Sequence, residues 1–349
     1  MKKTLIHIIP TLENGGAENV LARLVSEFSK LGIKQIVITT QGGTSDFNYE
    51  RIVSCSKVIH YKEEPKLVKA VFLQHPDATV LAWMYKAIYF SHKWKQIFNT
   101  EHQIIWNIRH SNFGPNQWRQ KSLLCLFGFL SRFLKPKIIY CSYKSEEVHK
   151  KFFFSKKRSR VIVNRLAKNI DLYENFHKSE KKDYFLFVGR FNPQKGPQHL
   201  INILDVFYKQ YDNTEIWIAG NGWDINYFPS SIRSHVKLLG NRKDIFKLYQ
   251  NAKLLLFTST YGEGYPNVLV EAAAMGLPII AFDAGDAKKI LADYDHGYIV
   301  ENEASFFEKL VWLMDNSPSE SDRSSAADQQ RKALDFSKTL VEYKEFLNL

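Results

Sequence analysis

Cysteine is scarce in this sequence. Its three cysteines, Cys55, Cys125 and Cys141, are odd in number and scattered, and none stands in a CxxC pair. That spacing supports neither a disulfide framework nor a zinc site, and it makes a reducing compartment the default. Long hydrophobic runs are missing too. The longest, Leu123–Leu134, is interrupted by Gly128, Ser131 and Arg132, and falls short of the roughly 20 residues that span a bilayer. At the amino end, the apolar run Leu5–Ile9 stops at Pro10, too early for the core of a signal peptide. Only 17 glycines and 11 prolines occur, against 45% hydrophobic residues, which excludes collagen-like and disordered chains. No repeat of solenoid length is present.

Acidic residues are short in one half only. Residues 1–180 hold 29 Lys+Arg against 14 Asp+Glu, whereas residues 181–349 hold 19 against 22. All of the formal excess of +12 therefore sits in the first half. Nucleic acid and an anionic membrane surface are the usual partners of such a half.

A length of 349 residues suits two domains, each able to bury a core. The chain opens as strand (Leu5–Ile9), glycine turn (Asn14-Gly15-Gly16), helix and strand (Gln35–Thr40). In the helix Val20, Leu21, Leu24, Val25 and Phe28 recur at helical spacing, and Gly32 stops it. That is a βαβ unit. Apolar runs at Ala78–Ala82, Gln103–Ile108, Lys137–Cys141 and Arg160–Val163 continue the same parallel sheet. The polar stretch 171–183 reads as a linker. A second series follows at Tyr184–Val188, Glu215–Ala219, Val236–Leu239, Leu254–Phe257 and Pro278–Phe282. Beyond Ser305 a helical stripe holds Phe306, Leu310, Leu313 and Met314. The expected fold is α/β, with two doubly wound, Rossmann-like domains in tandem whose carboxyl-edge crevices face across a cleft. The expected boundaries are 1–172 and 173–330, with 331–349 as a C-terminal helix packing back on the first domain.

Five motifs lie on those carboxyl edges. Gly15 and Gly16 allow close backbone approach to a ligand at a helix amino terminus. The GxGxxG fingerprint is absent, so nicotinamide and flavin chemistry is disfavoured. Gly189-Arg190-Phe191-Asn192-Pro193-Gln194-Lys195-Gly196 sets two cations five residues apart. Arg190 can fork across two phosphate oxygens while Lys195 acts as a point charge. Gly220-Asn221 and Asn241-Arg242 end two further strands. Glu263-Gly264-Tyr265-Pro266-Asn267-Val268-Leu269-Val270-Glu271 places two carboxylates eight positions apart. A carboxylate in the apolar company of Glu271 must find donors or a charge, and vicinal sugar hydroxyls are suitable donors.

With these motifs in view, the sequence resembles the retaining glycosyltransferases of family 4, of GT-B architecture (glycosyltransferases group 1), over nearly its whole length. The likeness is strongest from Phe185 to Val300, through E-x7-E, the Arg/Lys pair and Gly276-Leu277-Pro278. The resemblance implies that Glu271 binds donor ribose hydroxyls, that Glu263 lies beside the transferred sugar, and that Arg190 and Lys195 neutralise the leaving diphosphate. It implies donor contacts from Gly220, Asn221, Asn241, Arg242, Gly264, Tyr265, Pro266, Asn267 and Val268. Gly15 and Gly16 become the first domain's wall toward donor and acceptor. His110, after the strand Gln103–Ile108, matches the place of a histidine near the reacting carbon. The family's Asn-Gly-Ile-Asp is altered, since Asn164 is followed by Arg165.

The implied reaction is metal-independent and retaining, by front-face departure and attack. Asp293-Tyr294-Asp295 has DxD spelling but sits at a turn before a strand. No cofactor is expected. A nucleotide-diphosphate sugar is the donor substrate, UDP-sugar favoured over GDP-sugar. The expected acceptor is a lipid-linked or envelope saccharide, as in lipopolysaccharide, capsule or O-antigen assembly. Trp118, Phe127, Phe129 and Phe133 mix with Arg119, Lys121, Arg132, Lys135 and Lys137. Phe152-Phe153-Phe154 sits beside Lys151, Lys156, Lys157, Arg158 and Arg160. Both segments suit an anionic leaflet, or else a buried crossover helix with a solvated basic end. The expected location is cytoplasmic, peripheral on the inner face of the cytoplasmic membrane, with no nucleic-acid partner. Two alternatives stay open, a non-catalytic transferase-like nucleotide-sugar-binding subunit and a nucleotide-sugar epimerase of the same fold.

Overall fold

Parallel strands buried on both faces carry nearly unbroken apolar runs, and here they assemble into two sheets. The computed structural model describes residues 4–13, 16–42, 47–111, 114, 118–155, 157–166, 183–211 and 214–349. Gly15, Asn14, Asn112, Lys156 and linker positions 171–182 lie outside the described residues.

The first series runs β1 (Thr4–Ile9), α1 (Gly16–Lys30), β2 (Lys34–Thr39), α2 (Phe47–Val53), β3 (Lys57–His60), α3 (Pro65–Gln74), β4 (Thr79–Trp83), α4 (Met84–Ile97), β5 (Gln103–Ile108), α5 (Trp118–Leu134), β6 (Lys137–Tyr140), α6 (Tyr143–Lys151) and β7 (Ser159–Val161). Its seven strands lie in the order β3-β2-β1-β4-β5-β6-β7, all pairings parallel. In α1 the residues at helical spacing, Val20, Leu21, Leu24, Val25 and Phe28, are all buried. Strand β3 is not announced by the apolar pattern. Lys57-Val58-Ile59-His60 offers only two aliphatic residues between polar ends, and its pairing with β2 makes it a strand.

The second series runs β8 (Tyr184–Val188), α7 (Pro197–Phe207), β9 (Glu215–Ala219), β10 (Val236–Gly240), α8 (Ile245–Asn251), β11 (Leu254–Phe257), α9 (Asn267–Ala274), β12 (Ile279–Phe282), α10 (Ala287–Leu291), β13 (Gly297–Val300), α11 (Glu303–Asp315) and α12 (Glu320–Ala333). The strand order is β10-β9-β8-β11-β12-β13, again all parallel. Alternate residues of β8 divide between two cores. Tyr184 and Leu186 pack with Leu269 and Ala273 of α9, whereas Phe185 and Phe187 pack with Leu204 of α7 and Leu310 of α11. The period-2 side-chain alternation of a strand thus supplies both faces of a doubly wound sheet.

Contacts divide the chain into two units. One comprises Met1–Ser111, Pro115–Asn164 and Ser337–Leu349, the other Asn112–Gly114 and Arg165–Phe336. The last helix, α13 (Phe336–Leu347), packs within the first unit. There the Thr339 hydroxyl donates to the Val163 carbonyl at 3.0 Å, and Tyr343 is fully buried.

Candidate active site

In an open parallel sheet, ligands bind outside the carboxyl ends of strands where the strand order reverses. In the second unit that point lies between β8 and β11. The loop after β8 is held against the loop after β9. Gly189 N–H donates to the Ala219 carbonyl and Phe191 N–H to the Asn221 carbonyl, both at 2.9 Å. The Trp223 indole N–H donates to the Gly189 carbonyl at 2.9 Å. Gly220 makes this approach possible. A Cβ there would lie 2.2 Å from the Gly189 oxygen, and its φ is +146°. Arg190 therefore leaves the strand end at a fixed point, with its side chain exposed.

Five residues later the chain makes a tight turn. The Asn192 side chain accepts from Gln194 N–H at 3.0 Å, Pro193–Lys195 form one 3-10 turn, and Gly196 caps it with left-handed φ of +62°. The Thr258 hydroxyl donates to the Lys195 carbonyl at 2.9 Å, tying this turn to the end of β11. The result is an ion pair that bridges the switch point. Lys195 Nζ donates to Glu263 Oε1 at 2.6 Å, and Ser259 Oγ donates to the same oxygen at 2.9 Å. Glu263 is 7% exposed. Lys195 is therefore already ion-paired with Glu263. An ammonium has three N–H donors, so it can keep Glu263 and still meet an anion. Ser259 carries no motif signal; its hydroxyl reaches Glu263 because both lie on the same loop.

Gly264 and Tyr265 follow, and the Gly264 carbonyl accepts from Asp286 N–H at 2.9 Å. Pro266 precedes α9, which starts at Asn267 and Val268. Glu271 is half-buried on that helix, and Tyr249 of α8 donates its hydroxyl to Glu271 Oε2 at 3.2 Å. Sequence reasoning names sugar hydroxyls as partners and misses Tyr249, because nothing in the local pattern links positions 22 apart. The helix's far end is held by a buried arginine. Arg323 of α12 donates to the Gly276 carbonyl at 3.0 Å and to the Ala252 carbonyl at 3.2 Å. At the end of β10, Asn241 is exposed and Arg242 forks onto Asp244 at 2.7 and 2.8 Å. Arg242 holds the Asp244 carboxyl below the usual carboxylate range. Arg190, Lys195, Gly220, Asn221, Asn241, Arg242 and the stretch Glu263–Glu271 thus share one carboxyl edge.

His110 and Gly16 belong to the first unit. Gly16 is exposed at the start of α1, with open space around its Cα. His110 follows β5, half-buried, and burial pushes its imidazole down to about 4. Beside it Arg109 donates to the Asn164 side chain and stacks over Trp83 at 5.5 Å. Asn164 thereby acquires a definite place after β7. The turn at Asp293 is likewise structural, its carbonyl accepting from Gln330 at 2.7 Å. Among the described residues no three His, Cys, Asp or Glu side chains cluster as metal ligands.

Comparisons with known proteins cover the second unit and, in two cases, nearly the whole chain. Residues 169–330 match the family of glycosyl transferases group 1. The chain is 29% identical over 138 residues to a phosphatidyl-myo-inositol mannosyltransferase of Mycobacterium leprae, a match covering 38% of this chain and 37% of that protein. It is 24% identical over 333 residues to an uncharacterized glycosyltransferase of Haemophilus influenzae, covering 91% and 92%. Three of the curated matches take in only 27%, 37% and 40% of the relative's length. Among solved structures, HepE of Anabaena in complex with UDP-glucose superposes with a TM-score of 0.78 at 18% identity, over 99% of each chain. The two parallel sheets are thus those of a GT-B protein. The match to the glycosyl transferases group 1 thus spans the unit that pairs Lys195 with Glu263.

Proposed function

We propose that the chain is a metal-independent, retaining glycosyltransferase of family 4. It moves a hexosyl or N-acetylhexosaminyl group from a nucleotide-diphosphate sugar to a lipid-linked or envelope saccharide. One observation carries the reading: Lys195 and Glu263, 68 positions apart, meet at the β8/β11 switch point, with Arg190 on the same edge. Departure of a nucleotide diphosphate needs cations at the leaving oxygens and a negative group near an oxocarbenium-like sugar. Arg190 and Lys195 supply the first and Glu263 the second. Glu271 takes the ribose hydroxyls, with the Tyr249 hydroxyl holding its other face. UDP is the favoured nucleotide, a choice supported by the UDP-glucose complex of HepE.

Arg190→Ala tests this against a non-catalytic sugar-nucleotide-binding subunit. Arg190 is exposed, so the variant should keep the wild-type melting temperature, within about 0.5 kcal/mol of stability. UDP release from a panel of UDP-sugars should fall by about a hundredfold or more, and EDTA should leave the wild-type rate unchanged. Wild-type turnover in the variant would remove Arg190 from the reaction, whereas wild-type protein that binds UDP-sugars without turnover would favour the binding-subunit reading.

The lipid-linked acceptor and the membrane location rest on the first unit. No helix among the described residues is long and apolar enough to cross a membrane. On α5, however, Leu124 and Phe127 face inward while Trp118 is 66% exposed, Leu126 53%, Phe129 58% and Phe133 67%. A surface helix ordinarily turns a polar face to water, and exposed apolar clusters of this kind mark contact sites. The Arg132 guanidinium donates to the Phe153 carbonyl at 3.1 Å, bringing exposed Phe153 beside the helix. No Asp or Glu occurs from 102 to 145. Apolar residues rimmed by cations fit an anionic leaflet, at about 1 kcal/mol per nearby cation. The protein should cosediment with phosphatidylglycerol vesicles at low salt, and Trp118→Ser/Phe133→Ser should release it. Equal sedimentation of the double variant would show that this face is not the contact. The mannosyltransferase relative's name, with its phosphatidyl-myo-inositol, supports a lipid acceptor.

A further inference from the structure

Tyr85 and His149 are buried polar side chains that the proposed reaction does not use. Both pack against His110, within the first unit. His149 Nδ1 lies 2.6 Å from the Ser145 carbonyl oxygen. A carbonyl only accepts, so Nδ1 carries the proton and Nε2 is the acceptor for the Tyr85 hydroxyl, its hydrogen-bond partner. Burial holds His149 neutral, pushed down to about 3, and keeps the Tyr85 hydroxyl protonated. The chain of contacts then turns back on His110. Ser145 Oγ donates to the His110 carbonyl at 2.7 Å. The Tyr85 ring meets the His110 ring edge-on, centroids 5.3 Å apart at 90°. The His149 ring meets it from another side, 5.6 Å apart at 81°. His110 therefore has its backbone held by α6 and its ring bounded by two rings that are hydrogen-bonded to each other.

A strained junction delivers one of those rings. Strand β4 ends at Trp83 and α4 begins at Met84, with no loop residue between them. Met84 has φ of +67°, a conformation that a methionine keeps only when its surroundings hold it, and such strain clusters at functional sites. Tyr85 comes directly after it. A longer, relaxed connection would leave the tyrosine's position unspecified.

We propose that Tyr85 and His149 are positioning residues, a hydrogen-bonded pair that fixes the ring orientation of the candidate catalytic His110. The proposal rests on the transfer reading for its effect on turnover. Its geometric part stands on these contacts alone. Tyr85→Phe keeps the ring packing and removes only the hydroxyl. His149→Asn keeps a donor for the Ser145 carbonyl and removes the acceptor for Tyr85. With protein labelled at histidine ring nitrogens, either variant should shift the His110 ring resonances. The rate of UDP release from UDP-sugars should fall about tenfold at saturating donor, with the donor KM within about twofold of wild type. The double variant should add nothing to His149→Asn alone, since the Tyr85 hydroxyl has already lost its acceptor there. A purely structural role would lower the melting temperature and leave the His110 resonances and kcat at wild-type values; that result overturns the proposal. Wild-type protein that binds and turns over no sugar nucleotide would defeat the transfer reading instead, and the resonances would still decide whether the pair sets His110.

Discussion

Lys195→Ala is expected to lower turnover by about 10²–10³-fold, the usual loss when one fixed donor is taken from a developing negative charge. The same variant should also lose stability, for a separate reason. Glu263 is nearly fully buried and accepts from Lys195 and Ser259 at its Oε1. Taking away the lysine removes the cation beside a buried carboxylate, at a cost of about 2 kcal/mol, discounted because Lys195 itself is half-buried. The two losses can be separated. Lys195→Ala/Glu263→Gln removes both charges and leaves a neutral acceptor for Ser259. It should recover most of the lost melting temperature in calorimetry and none of the lost turnover. If the double variant is as unstable as the single one, the ion pair is not what holds the two loops together. If Lys195→Ala keeps turnover within tenfold of wild type, the lysine does not meet the leaving group.

Gly196→Ala should be the most damaging single methyl group in the second unit's site. Its Cβ would lie 2.0 Å from the Thr258 carbonyl oxygen, a backbone atom at the end of β11, and the residue holds φ of +62°. Either the β8 and β11 loops part or the turn unwinds, and both routes pull Lys195 away from Glu263. We expect a destabilisation of about 3–4 kcal/mol, or about 10 °C in a unit of this size, with turnover lost alongside. Gly16→Ala is the control. Nothing lies within 4 Å of its would-be Cβ, and the residue opens a helix, so stability should stay within about 0.5 kcal/mol of wild type. Equal melting temperatures for the two variants would mean that Gly196 is not packed as described.

Parts of this architecture are legible from composition alone because parallel strands are buried on both sides. Leu5–Ile9, Gln103–Ile108 and Leu254–Phe257 are apolar throughout or nearly so, and each is a strand. The amphipathic helices α1 and α11 show their buried stripes directly, Val20 to Phe28 in one and Phe306, Leu310 and Leu313 in the other. Lys57–His60 is not legible, because its pairing with β2 rather than its own pattern makes it a strand. The outward apolar face of α5 is half-legible. Its aromatic residues can be counted, but which of them face water depends on Gly128, whose missing side chain admits the Phe152 carbonyl where a Cβ would sit 1.7 Å away.

The amino-acid order by itself determined the βα alternation, the polar and glycine turns at strand ends, and the residue types able to meet a diphosphate and a sugar. It did so because hydrophobic period, turn chemistry and side-chain charge are local properties. Tertiary structure decided the partners. Lys195 reaches Glu263, Tyr249 reaches Glu271, and Tyr85 reaches His149 across separations of 68, 22 and 64 residues. Which pairs meet follows from which strands lie side by side, β8 against β11 and β4, β5 and β6 in a row, and no local stretch of sequence carries that order.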